Sequence, residues 1–154
     1  MKITDILSKE HIIINLISNN KEKVLKEFSG FLEKNNAIKS GDVLFKALID
    51  REKLGSTGIG ENVAIPHAKL DSIDKIIIVF ARSIKGVNFE SLDKKLVHFI
   101  CLVIAPSNST GLHLKALARI SRLLKNSTLR DNILHANKVD EIFSLLVEED
   151  SKFL

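Results

Sequence analysis

The sequence contains no tryptophan and no tyrosine, and it has only one cysteine and two prolines among 154 residues. A single cysteine, Cys101, cannot form an intramolecular disulfide, so we expect the protein to work in the reducing cytoplasm. Cys101 lies inside an apolar run, where a structural role is expected. Without tryptophan and tyrosine the chain also lacks the aromatic platforms on which single-stranded nucleic acids usually stack.

Long apolar segments and charge of one sign are missing as well. The longest apolar run, residues 96–105, contains His98 and is much shorter than the roughly 20 residues that a membrane-spanning helix needs. Lysine and arginine are scattered among aspartate and glutamate, and the formal net charge is +4. This balance is typical of a solvated surface. We therefore expect no direct membrane insertion and no nucleic-acid partner.

The composition that remains is that of a globular protein, with 45% hydrophobic and 27% charged residues. A chain of this length can bury one sizeable core. No internal repeat, low-complexity segment or linker divides it. We predict a single domain over residues 1–154.

Continuous apolar runs predict the strands. Residues 75–81 and 96–105 each have the composition of a strand that is covered on both faces, and residues 11–16 and 86–89 suggest two further strands. The connection between the two long runs, about fourteen residues, favours antiparallel pairing over a crossover helix. We predict an α/β fold, a three-layer sandwich in which a mixed parallel and antiparallel sheet of about five strands has helices on both faces.

Apolar residues at helical spacing predict the flanking helices. Asn19 and Glu22 form a plausible capping box for the first helix, and Gly55 ends the second. The predicted helices cover residues 24–32, 41–54, 112–124, 129–134 and 140–149.

The glycine-rich segment at residues 55–60 holds three of the seven glycines. Glycines let backbone N–H groups point into one concavity, and neighbouring hydroxyls add donors, a combination that suits phosphoryl oxygens. Ser56, Thr57 and Gly58 are therefore candidate phosphate-binding residues, although the same composition also fits a plain loop. The segment lacks the endings of nucleotide-binding loops, so no nucleotide cofactor is predicted.

His67 directly follows Pro66 and the apolar residues 63–65. Proline fixes the backbone ahead of the imidazole. A neutral imidazole has one unprotonated nitrogen that can accept a phosphoryl group, although a structural histidine also fits these residues. A metal hydrolase that used His67 and His113 would lack carboxylate ligands, and we predict no metal site.

Residues 55–60 followed by 64–67 resemble the signature of the enzyme IIA components of the bacterial phosphoenolpyruvate-dependent phosphotransferase system, of the fructose, mannitol and nitrogen-related type. The resemblance extends from residues 3–7 through 81–83 to 113–118 and the final helices, so it covers nearly the whole chain. It implies a phosphotransferase component with a transient phosphohistidine and no cofactor.

The resemblance also implies roles for three residues. In that family the histidine of the Ile-Pro-His motif, here His67, accepts phosphoryl from the histidine-containing phosphocarrier protein. Arg51 corresponds to a family arginine that can stabilise phosphoryl oxygens, although an arginine there also suits a helix C-terminus. His113 corresponds to a second family histidine, and near a helix N-terminus it can donate a hydrogen bond while neutral. A solvent-facing His113 is the alternative.

Two positions depart from the family, because Glu61 and Asn62 stand where its members usually have Asn-Gly. Asn62 can still adopt the left-handed conformation. Glu61 brings a negative charge near a phosphoryl group, and we expect its side chain to face solvent.

The resemblance leaves two destinations for the phosphoryl group. In one, the chain passes it to an enzyme IIB component for fructose-type sugar uptake. In the other, the chain is a nitrogen-related regulator whose phosphorylation state controls a regulatory target protein without sugar transport. Both branches share the motif, so the residues alone do not separate them.

Overall fold

The structure, a computed structural model, describes residues 1–153. Two single-turn 3₁₀ helices open the chain; one short strand, two α-helices, five strands and three α-helices then follow in that order. The strands are β1 (Ile12–Ile13), β2 (Gly58–Gly60), β3 (Val63–Ala64), β4 (His67–Leu70), β5 (Ile77–Val87) and β6 (Val97–Pro106). The helices are α1 (Lys21–Lys34), α2 (Gly41–Glu52), α3 (Thr110–Leu124), α4 (Ser127–His135) and α5 (Val139–Asp150).

One sheet contains all of these strands, in the order β1-β5-β6-β3-β2, and β4 pairs with β6 beyond the end of β3. The long strands β5 and β6 are antiparallel, with Phe80 opposite Cys101. β1 runs parallel to β5, and β3 and β4 run parallel to β6. The mixed sheet is therefore confirmed, with six strands in the part of the chain that the structure describes.

Alternating side chains of the central strands build two separate cores. On β5, Ile78 and Phe80 pack against α3, α4 and α5, whereas Ile77 and Val79 pack against α1 and α2. These four side chains are almost completely buried. Burying a side chain of this size contributes about 1.5–3 kcal/mol, so the continuous apolar pattern is the driving force for covering both faces. The predicted three-layer sandwich is confirmed.

Some predicted element boundaries differ from the structure. Residues 86–89 do not form a separate strand, because β5 continues to Val87. The predicted strand at residues 11–16 pairs only over Ile12–Ile13. Asn20, rather than Asn19, caps α1, and its Oδ1 accepts the Lys23 N–H at 2.9 Å.

The glycine-rich segment is more regular than predicted, because β2 and β3 pair there as a short antiparallel hairpin. Its turn consists of Glu61 and Asn62, which both have positive φ, 56° and 68°. The expected left-handed conformation of Asn62 is thus confirmed. The Glu61 carboxylate is exposed, as expected, and lies 3.2 Å from Arg130 of α4.

Three elements, α2, β4 and α3, meet at the break between β3 and β4. Residues 65–66 interrupt the strand, and the Pro66 carbonyl accepts the Val103 N–H at 3.0 Å, which keeps β4 in register with β6. The C-terminal end of α2 and the first turns of α3 lie on either side of β4. No helix within residues 1–153 is both long and apolar enough to cross a membrane.

Candidate active site

These three elements contribute side chains to one cavity of about 510 Å³. β4 begins at His67, α2 carries Arg51 in its last turn, and α3 carries His113 near its N-terminus. The structure therefore brings together the three residues to which the sequence assigned catalytic roles.

The hydrogen bonds of His67 define its tautomer. Its Nδ1 lies 2.8 Å from the backbone carbonyl oxygen of Ile65. A carbonyl oxygen can only accept, so Nδ1 carries the ring proton. Nε2 consequently keeps a lone pair, and it accepts a hydrogen bond from Arg51 Nε at 3.3 Å. Nε2 is the nitrogen that can act as a nucleophile.

The Arg51 guanidinium is held between this ring and the segment that follows α2. Nη1 donates to the Gly55 carbonyl at 2.9 Å, while Nε donates to His67. Both contacts involve neutral acceptors, so the positive charge of Arg51 is not paired with a carboxylate in these contacts. Such a cation can stabilise an anionic group that arrives at His67.

The second histidine is buried against the first. The rings of His67 and His113 lie edge to face, with centroids 5.4 Å apart and planes at 75°. His113 is only 5% exposed, which excludes the solvent-facing alternative. Its buried Nε2 has no hydrogen-bond partner within residues 1–153. A buried nitrogen of this kind calls for a functional or structural explanation.

Burial sets the charge state of both rings. Burial lowers the pKa of His67; the hydrogen bond to Ile65 opposes this change, and the charge of Arg51 adds to it. Burial also lowers the pKa of His113, and the charges of His67 and Lys69 act in the same direction. Both imidazoles are therefore neutral at pH 7, the state in which His67 can use its lone pair.

Lys69 is a residue of the cavity that the sequence motifs do not indicate. It lies two residues after His67 on β4, so both side chains project from the same face of the strand. Lys69 lines the cavity, and its Nζ donates to Thr110 Oγ1 at 3.0 Å. Alternation from His67 would have indicated this lysine if the segment had been recognised as a strand.

The glycine-rich segment makes different contacts from those predicted. The Thr57 hydroxyl donates to the Glu52 carboxylate, and the Ser56 hydroxyl donates to the Phe89 carbonyl at 3.0 Å. Gly58 N–H donates to Ser56 Oγ at 3.1 Å. Ser56, Thr57 and Gly58 do not line the cavity around His67. Their polar groups are occupied within the protein, so this geometry gives no support to their predicted role in phosphate binding.

Close packing explains the glycine at position 58. A Cβ atom there would lie 2.0 Å from Ser91 Oγ, far inside contact distance. The glycine permits the loop at Ser91 to approach β2. It thus has a packing role in a segment whose composition suggested anion binding.

Comparisons with known proteins agree with this arrangement. The family model "Phosphoenolpyruvate-dependent sugar phosphotransferase system, EIIA 2" matches residues 5–149. The chain is 38% identical over 150 residues to the PTS system fructose-specific EIIABC component of Bacillus subtilis, covering 97% of the chain and 24% of that protein. It thus spans about a quarter of the length of that relative.

A nitrogen regulatory protein of Bradyrhizobium diazoefficiens is 37% identical over 146 residues, which cover 95% of each chain. The crystal structure of nitrogen regulatory protein IIA-Ntr from Neisseria meningitidis superposes with a TM-score of 0.86 at 30% identity, covering 94% of this chain and 98% of that one. On these grounds the chain belongs to the EIIA 2 family of the phosphoenolpyruvate-dependent sugar phosphotransferase system, whose members are phosphotransferase components.

Proposed function

We propose that this protein is a cytoplasmic phosphoryl carrier that holds the phosphoryl group on Nε2 of His67. It accepts the group from the phosphohistidine of the histidine-containing phosphocarrier protein and passes it to an enzyme IIB component. The observation that carries the proposal is the hydrogen bond between His67 Nδ1 and the Ile65 carbonyl. This bond leaves the lone pair on the nitrogen that shares a cavity with Arg51 and His113.

The reaction is an in-line displacement at phosphorus. The Nε2 lone pair of His67 attacks the phosphorus atom while the N–P bond of the donor phosphohistidine breaks. The electron pair of that bond stays on the donor nitrogen, so the transfer needs no external oxidant, reductant or water. Fixing the tautomer in advance removes the need to reorient the ring during the reaction.

Arg51 changes partners during this step. Its Nε bond to His67 Nε2 must open when the lone pair attacks. The guanidinium can then donate to the phosphoryl oxygens, where negative charge is concentrated. Because Gly55 still holds Nη1, the guanidinium stays near the transferred group.

His113 and Lys69 complete the surroundings of the phosphoryl group. A phosphoryl group on His67 brings a charge of about −1.5 to −2. The buried Nε2 of His113 can donate a hydrogen bond to the phosphoryl group if the ring proton is on that nitrogen. The phosphoryl group would then be the hydrogen-bond partner that Nε2 lacks within residues 1–153. Lys69 adds a positive charge beside the same cavity.

Radioactive labelling tests the acceptor residue. Incubation with phosphoenolpyruvate and the two general phosphotransferase proteins should place acid-labile phosphate on the native chain, whereas His67→Ala should take none. His135→Ala is the matched control, since His135 is exposed on α4, and it should label like the native chain. An unlabelled native chain, or full labelling of folded His67→Ala, contradicts the proposal.

The destination of the phosphoryl group has two candidates. Fructose-type sugar uptake is supported by the 38% identity to the fructose-specific relative. Regulation of protein partners is supported by the 37% identity to the nitrogen regulatory protein and by the TM-score of 0.86 with IIA-Ntr.

Transfer from the labelled chain to a fructose-type enzyme IIB distinguishes these destinations. Rapid loss of label to IIB supports sugar uptake. If the label remains, and a partner protein binds the phosphorylated and unphosphorylated chains with different affinities, the regulatory role is supported.

A further inference from the structure

A buried carboxylate, Glu52, lies directly after Arg51 at the end of α2. Glu52 is 8% exposed, and both of its carboxylate oxygens have partners. Oε1 accepts the Thr57 N–H at 3.0 Å and lies 3.1 Å from Lys21 Nζ, while Oε2 accepts the Thr57 hydroxyl. A buried charge is tolerated only when it is paired and hydrogen-bonded in this way.

These contacts join separate parts of the chain. Lys21 begins α1, its backbone N–H donates to the Asn88 carbonyl at 3.0 Å, and its Nζ lies 5.2 Å from the centroid of the Phe89 ring. Ser56, next to Thr57, donates to the Phe89 carbonyl. Glu52 therefore ties the segment after α2 to α1 and to residues 88–89 beyond β5.

One series of hydrogen bonds leads from the Glu52 side chain to Nδ1 of His67. The Glu52 carboxylate holds Thr57, and the Thr57 carbonyl accepts the Ile65 N–H at 3.0 Å. The Ile65 carbonyl then accepts Nδ1–H of His67 at 2.8 Å. The carbonyl that fixes the His67 tautomer thus belongs to a residue that is anchored to Glu52 through Thr57.

A second series leads from Glu52 to Nε2 of the same ring. The backbone carbonyl of Glu52 accepts the Gly55 N–H at 3.0 Å. The Gly55 carbonyl holds Arg51 Nη1 at 2.9 Å, and Arg51 Nε donates to His67 Nε2. Both nitrogens of the nucleophilic ring are consequently held by groups that depend on the segment between Glu52 and Thr57.

We propose that Glu52 is a positioning residue for phosphoryl transfer, whose carboxylate holds Thr57 and thereby the Ile65 carbonyl that binds Nδ1 of His67, while its backbone carbonyl holds Gly55. The inference rests on the proposed function for its rate effect, whereas its effect on ring geometry can be measured separately. Glu52 does not line the cavity around His67, so it acts through these neighbours and not by contact with the phosphoryl group.

The charge of Glu52 supports the same role. Among the charged groups near His67, Glu52 raises the pKa of the imidazole and Arg51 lowers it. Asp50, Lys69 and the second ring, His113, are the other titratable groups that line the cavity around His67, and Asp50 is paired with Lys46. A buried carboxylate that offsets a neighbouring guanidinium keeps more electron density on the nucleophile than the guanidinium alone would allow.

Glu52→Gln tests the inference because it preserves size while removing the charge and part of the bonding. Asp150→Asn is the matched control. Asp150 is also a buried carboxylate, 3% exposed, and it binds Arg119 and the Ile3 N–H on the opposite side of the sheet. Both variants should lose stability, so each is assayed at a temperature at which it is fully folded.

Transfer from the phosphorylated carrier protein is followed in single turnovers at increasing carrier concentration. We expect the maximal rate of Glu52→Gln to fall roughly ten- to a hundredfold, the range associated with small displacements of reacting groups. The carrier concentration at half-maximal rate should stay unchanged, since Glu52 does not touch the partner. Asp150→Asn should retain the native maximal rate. Thr57→Val, which removes only the hydroxyl, should give a smaller loss in the same direction.

Long-range ¹H–¹⁵N spectra of the His67 ring give a readout that needs no transfer activity. The native ring should show the Nδ1–H tautomer, and Glu52→Gln should show a mixture of tautomers. A folded Glu52→Gln protein with the native rate and the native tautomer overturns the inference, as does an equal rate loss in Asp150→Asn. If the native chain accepts no phosphate, the proposed function fails, and the tautomer spectra still decide the role of Glu52.

Discussion

Two arginines, Arg82 on β5 and Arg51 at the end of α2, differ in the acceptors of their hydrogen bonds. Arg82 on β5 is 5% exposed and donates to the backbone carbonyls of Ile14, Ile133 and Ala136. Arg51 has two acceptors, of which one is the backbone carbonyl of Gly55 and the other is Nε2 of His67. The acceptors of Arg82 are all backbone carbonyls, whereas under the proposed function one acceptor of Arg51 is released in every transfer.

The same contrast is seen among three buried polar side chains, Asp150, Glu52 and His113. Asp150 and Glu52 are buried carboxylates whose partners are all provided by the protein. His113 is equally buried, yet its Nε2 has no partner within residues 1–153. Leaving a buried polar atom unpaired costs about 1–3 kcal/mol, a cost that selection tolerates where a ligand or substrate supplies the missing partner.

Replacing Arg51 should have the largest effect on transfer. In Arg51→Met the phosphoryl oxygens lose a cation in a partly buried site, and we expect the rate to fall about 10²- to 10³-fold. Stability should change little, because only the contact with the Gly55 carbonyl and the long contact with His67 are lost. Single-turnover transfer and urea unfolding measure the two quantities. A loss of stability without a loss of rate would place Arg51 in the same class as Arg82.

Replacing Arg82 should give the opposite pattern. Arg82→Met leaves the carbonyls at the end of α4 without their buried donor, and we expect the free energy of unfolding to fall by about 3 kcal/mol. Transfer by the folded fraction should remain at the native rate. If the folded Arg82→Met protein transfers phosphate much more slowly than the native chain, the separation between the two arginines breaks down.

The next largest effect should come from His113. His113→Leu removes a buried nitrogen that lacks a partner, so we expect the free energy of unfolding to rise by up to about 1 kcal/mol. The same change removes a hydrogen bond to the transferred group, and the transfer rate should fall about tenfold. Gain of stability with loss of rate is the expected signature. Loss of both would show that His113 supports the fold instead.

Much of the architecture could be predicted from the sequence because it depends on local pattern. Residues 76–81 are all apolar, and residues 96–105 are apolar except for His98, a pattern that is typical of strands covered on both faces. The hairpin of β2 and β3 was missed because it is two to three residues long and is stabilised by pairing of β3 with β6, far along the chain. Strands that short carry no readable alternation.

The site was predictable to the extent that its motif is local. The residues around His67 allowed either a phosphoryl acceptor or a structural histidine, and the resemblance favoured the acceptor; His113 and Arg51 were proposed from the resemblance. The contacts of Glu52 could not be predicted, since they link it to Lys21, 31 positions earlier in the numbering, and to a threonine whose hydroxyl was expected to bind phosphate. Only the folded chain decides which of several polar groups within reach becomes the partner.

The smallest expected effect is a pH dependence confined to the site. The pKa values of His67 and His113 are lowered by burial, so the unfolded chain binds more protons than the folded chain between those values and the ordinary imidazole pKa near 6.5. The free energy of unfolding should therefore rise with pH through this window. The contribution of the two histidines is complete above the window and is lost as the pH falls through it. Arg82 stays charged throughout and contributes nothing to this slope.

Urea unfolding between pH 5 and 8, compared between the native chain and the double variant His67→Gln/His113→Gln, isolates that contribution. The double variant should show a shallower rise than the native chain. Transfer should weaken in the same acidic window, because protonation at Nε2 consumes the lone pair that attacks phosphorus. Equal slopes in the native chain and the double variant would mean that the buried rings titrate as they do in the unfolded chain. The site would then lack the lowered histidine pKa values that distinguish it from the region around Arg82.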